Sequence, residues 1–162
     1  MKPIIFVLTV FFALGLTSAA FAGQACYSKA EAEAEQGLRI HSELMVIGLN
    51  CQAMPRFASQ NLYGKYRIFT RDHADLIAAY EKILTTYFQR TGSPDPAGSF
   101  NTLRTTLANK VSRDAASMRP DLFCVRYAPR IEQASGMDMK AVRKWASTFY
   151  PSHPVSSPIC DQ

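Results

Sequence analysis

Between Leu62 and Tyr87, large side chains return at alternating spacings of four and three residues. The series is Leu62, Tyr66, Phe69, His73, Leu76, Tyr80, Ile83, Tyr87, and only His73 in it is polar. That rhythm traces one stripe along an α-helix, whereas a half-buried strand alternates every second residue. A stripe of this length has to be laid against other helices to leave water. Ile77, Leu84 and Phe88 widen it, which suits the interior of a bundle better than the narrow seam of a two-stranded coil. The pattern predicts a helix from about Ser59 to Arg90, ended by Gly92.

The rest of the chain supplies the partners. Ser28-Lys29-Ala30-Glu31 has the form of a capping box, and Glu31, Glu33 and Glu35 follow near the positive end of the helix dipole. Ile40, Leu44, Ile47, Cys51 and Met54 then mark one face of a first helix that Pro55 closes. Thr91 to Ser99 is a loop rich in Pro and Gly. A third helix is expected from about Ser99 to Met118. A fourth carries Leu122, Phe123, Val125, Tyr127 and Ile131, with a kink at Pro129. Asp138 caps a short fifth helix ending near Tyr150, and an irregular tail begins at Pro151. No repeat, strand pattern or long linker appears. The expectation is one all-α domain, an up-and-down bundle of four main helices plus a short C-terminal helix.

Residues 1–22 stand apart. Lys2, the apolar run Ile4–Leu16 and the small residues of Ala20-Phe21-Ala22 have the layout of a secretory signal peptide. The apolar run is shorter than the roughly 20 residues that span a bilayer. Cleavage near Ala22 is expected to leave a mature domain of residues 23–162 that is periplasmic or secreted, without a transmembrane segment. An exported chain with Cys26, Cys51, Cys124 and Cys160 is read as disulfide-stapled. Cys26 and Cys51 bracket the first helix, about 37 Å apart at 1.5 Å per residue, so they cannot pair. In an up-and-down bundle Cys51 and the start of the fourth helix share one end, which favours Cys51–Cys124. The tail then brings Cys160 to Cys26.

The charge is mild: 18 Lys and Arg against 13 Asp and Glu. That lacks the dense basic stripe of a nucleic-acid binder. The positive excess lies in the last third, where Arg119, Arg126, Arg130 and Arg143 form a candidate patch for an anionic envelope component or an envelope protein. His41 and Met45, four apart on one face, form with His73 a candidate copper-like metal site. Set against it is a His73 simply buried in the seam. Met137-Asp138-Met139 reads as the surroundings of a helix cap. Gly37 and Gly48, three turns apart, mark a close approach of a neighbouring helix or a ligand groove. No Cys-x-x-Cys, Gly-x-Ser-x-Gly, His-Glu-x-x-His or phosphate-binding Gly loop occurs, so no catalytic residue and no cofactor is assigned.

The stretch Glu31–Gln52 together with Asn61–Phe88 resembles a group of small exported proteins of Gram-negative bacteria. The group has no established function, so the resemblance implies export and carries over no site residue. The sequence therefore leads to an exported helical binding or envelope-associated interaction module. A small-ligand or metal carrier and an exported enzyme are the alternatives.

Overall fold

A computed structural model of the chain describes residues 26–160. The expected signal peptide lies outside the described residues. Six α-helices follow one another: α1 Lys29–Cys51, α2 Leu62–Asp72, α3 Ala74–Arg90, α4 Pro96–Ser117, α5 Pro120–Ser135 and α6 Met139–Ala146. Among the described residues there is no named strand, only an isolated parallel bridge between Tyr27 and Ile159. Among the described residues no helix is long and apolar enough to cross a membrane.

α1 is the axle of the molecule. Its start is fixed by the capping box: Ser28 Oγ accepts from the Glu31 N–H, and the Glu31 carboxylate accepts from the Ser28 N–H. Each of the other five helices packs against it. The periodicity marks one apolar face, yet α1 is buried nearly all round, with Ala32, Ala34, Leu38, Ile40, Leu44, Val46 and Ile47 all in the core. Small residues make this possible. A Cβ on Gly37 would lie only 2.2 Å from the Tyr80 ring, and one on Gly48 would lie 3.3 Å from the Tyr63 Cα. The two glycines admit the two halves of the long seam, one each.

The seam itself is broken where one helix was expected. A short 3-10 turn at Ala58–Gln60 precedes it, and Asn61 takes a left-handed conformation (φ 47°) that Asn tolerates better than most residues. The rod then bends at His73 (φ −113°, ψ 18°). Hydrogen bonding continues through the joint, from the His73 N–H to the Phe69 carbonyl and from the Ile77 N–H to the His73 carbonyl. The bend lets one segment serve two neighbours: α2 packs on α5, and α3 packs on α4. Pro120 occupies the first turn of α5, where its missing N–H costs nothing, and α5 continues through Pro129 to Ser135.

Two disulfides staple the bundle. Cys51–Cys124 joins the end of α1 to the first turns of α5 (Cα–Cα 5.5 Å), and Cys26–Cys160 joins the segment before α1 to the tail beyond α6 (5.1 Å). No described cysteine is free. Both pairings are those that the bundle topology favours, and they fit an oxidising, extracytoplasmic setting. Beyond α6 the tail returns as a strap along the first turns of α1. The Tyr27 N–H donates to the Pro158 carbonyl (2.7 Å), and the Cys160 N–H donates to the Tyr27 carbonyl (2.8 Å).

Candidate functional site

Because α2 leans towards α5, the His41 face of α1 lies between α2 and α4. A groove of about 350 Å3 opens there, lined by His41, Ser42 and Met45 of α1 and by Arg104, Thr105 and Ala108 of α4. On the α2 side, His41 Nε2 lies 3.2 Å from Thr70 Oγ1 and 3.1 Å from the Tyr66 hydroxyl. The Thr70 hydroxyl also donates to the Tyr66 carbonyl (3.0 Å). Nε2 is thus held by two hydroxyls, and Nδ1 has no partner among the described residues. Burial, reinforced by the Arg104 charge, holds the His41 pKa below its usual value. His41 is therefore neutral at pH 7. Among the described residues Arg104 is the one charged lining residue. Its guanidinium lies 3.6 Å from the Glu81 carboxylate and sits over the Phe100 ring.

A second polar cluster lies beneath the C-terminal strap. Glu35 has no exposed surface. Its carboxylate accepts from Arg39 Nη2 (3.0 Å), from the Ser156 N–H (2.9 Å) and from the Ser156 hydroxyl. Arg39 Nη2 also donates to the Pro154 carbonyl (2.8 Å), and Gln36 Nε2 donates to the His153 carbonyl (2.7 Å). Beside them a small, partly enclosed cavity of about 30 Å3 is bordered by Arg39, Glu43, Lys110, Asp114, Tyr127 and His153. Arg39 Nε is buried there with no protein partner. Burial raises the Glu43 pKa, against the opposing pull of Arg130, 2.5 Å away, and of Arg39. Burial lowers that of His153, as do the cations Lys110, Arg39 and Arg130. A volume of this size holds a water or two, at ~10–15 Å3 each, whereas sites for small organic ligands start near 300 Å3. The small volume leaves the buried cluster a structural one; wider clefts of about 680, 530 and 450 Å3 lie elsewhere on the described residues, but none of them pairs an imidazole with a guanidinium as the His41 groove does.

Of the three residues read as a metal site, His41 and Met45 line the groove together. His73 does not. It is buried at the α2–α3 joint with its ring edge-on to Phe69 (4.6 Å between centroids), and its Nδ1 has no protein partner. Among the described residues no group of three or more His, Cys, Asp or Glu is placed to hold a metal ion. Three of the four patch arginines are tied within the chain: Arg119 to Asp121, Arg130 to Glu43 and Arg143 to Glu33. Arg126 sits over the Tyr127 ring. Asp138 caps α6, accepting from the Ala141 N–H (2.7 Å). The sequence reading missed Tyr66, Thr70, Arg104 and Thr105, because nothing local tells which helices flank His41. It also missed the burial of Glu35 and Arg39, although their i, i+4 spacing was visible as a helical ion pair.

The chain matches no known protein family, no curated protein and no solved structure.

Proposed function

We propose that this chain is an exported, non-enzymatic binding protein of the bacterial envelope, and that it carries a small ligand in the groove between α1, α2 and α4. The leader pattern of residues 1–22 and the two disulfides support a periplasmic or secreted location after cleavage near Ala22. The observation that carries the reading is the groove itself. It combines a neutral, partly satisfied imidazole, a guanidinium, hydroxyls and an apolar floor in a volume suited to a small molecule. Two candidate ligands, His41 and Met45, beside the positive charge of Arg104 make a metal cation the less favoured cargo.

The reading is tested on protein purified from the native periplasm without reductant. Native mass spectrometry is expected to give the mass of residues 23–162 less four hydrogens, with a bound small molecule that the His41→Ala variant loses. An apo mass in both proteins would overturn it. A second reading, attachment to an envelope protein or anionic envelope component, rests on the exposed Leu122 and Val125 next to Arg126 on α5. That reading expects crosslinks from α5 to another protein instead of a small-molecule adduct.

A further inference from the structure

We infer that the groove selects a small organic acid: a molecule with one carboxylate, a compact apolar body and a hydroxyl that can pair with an imidazole nitrogen. This rests on the groove being a ligand site. Among the described residues no carboxylate lines it and Arg104 is its one charged lining residue, so its own field favours an anion over a neutral or cationic body. The Arg104 guanidinium is a planar fork of five donors. One arm reaches Glu81 across a loose 3.6 Å, and another touches Asn101 Oδ1 at 3.4 Å, which leaves donor capacity for a carboxylate.

The second element is His41. A ligand hydroxyl, which can donate or accept, would pair with its Nδ1, which has no partner among the described residues, since Nε2 is already held by Thr70 and Tyr66. A cationic ligand finds no acceptor of matching charge. A purely apolar one leaves the imidazole Nδ1 and the guanidinium without new partners. Met45 and Ala108 supply the apolar contact, and the Thr105 hydroxyl an extra polar one.

Matched probes test this on the full mature chain. Three are titrated at millimolar concentration: 4-hydroxybenzoate, its amide 4-hydroxybenzamide, and benzoate. Binding is read by the ring nitrogen and carbon-bound proton NMR signals of His41 and by the side-chain Nε–H signal of Arg104. The expected order is 4-hydroxybenzoate tightest. The amide should be weaker by roughly tenfold, about 1.4 kcal/mol, and benzoate should be weaker with a smaller shift at His41. Arg104→Gln, at a half-exposed position that leaves the core intact, should erase the difference between acid and amide. Equal binding of acid and amide, or an Arg104→Gln variant that keeps the preference, would overturn the selection of an acid while leaving the groove a ligand site. Failure of all three probes to perturb either residue would overturn both.

Discussion

Glu35 shows how much one side chain can decide. A fully buried carboxylate is tolerated only when paired and hydrogen-bonded, and here Arg39 and Ser156 do both. Glu35→Ala would leave the Arg39 guanidinium buried without its counter-charge. It is expected to lower stability by about 3–5 kcal/mol in urea unfolding and to free the amides of 153–156 to hydrogen exchange. At His41 the consequence is pH-dependent. Its folded pKa lies below the unfolded value of about 6.5, so between the two the unfolded chain holds more protons at this position. Stability must fall as pH drops through that window, and His41→Gln should remove that part of the slope in denaturation curves measured at several pH values. Both residues were plain in the sequence as members of a helix. Their environments were not, because each is set by a segment distant along the chain: the strap for Glu35, α2 and α4 for His41.

At the level of elements, the repeating seam identified the longest helical segment and most of its buried residues. It could not show the bend. No Pro or Gly marks it, and hydrogen bonding passes through it. His73 sits at the joint as a buried group whose Nδ1 has no protein partner, so His73→Leu should leave stability unchanged or raise it, as read by thermal unfolding. Added copper should not shift the unfolding temperature of either protein; a shift in the parent alone would restore the metal reading. Helix-to-helix distance is equally specific. Gly37→Ala pushes a methyl into the Tyr80 ring and is expected to cost about 1–3 kcal/mol. Much of that cost should vanish in a Tyr80→Ala background, a coupling that a double-mutant cycle measures. The glycine spacing announced a close neighbour; which aromatic ring fills the space is a property of the packed pair.

For the molecule as a whole, the disulfide pairing was legible because helix lengths and up-and-down connectivity limit which cysteines can meet. Replacing Cys51 and Cys124 by Ser should lower stability by roughly 2–4 kcal/mol, the bridge closing a loop with a sequence separation of 73. Removing Cys26–Cys160 should instead show first in the strap, as faster exchange at Tyr27 and Cys160, while α1 stays packed by its five helices. The central place of α1 also sets the order in which the chain can be completed. α1 leaves a ribosome or an export channel ahead of the helices that cover it, and the strap that buries Glu35 follows all of them. Until residue 156 arrives, a helix built to be enclosed on every side has a buried-type charge and a run of apolar surface open to its surroundings. A nascent chain that stops short of residue 156 therefore leaves Glu35 without its Ser156 partner, and one that stops short of α3 leaves the apolar surface of α1 open as well.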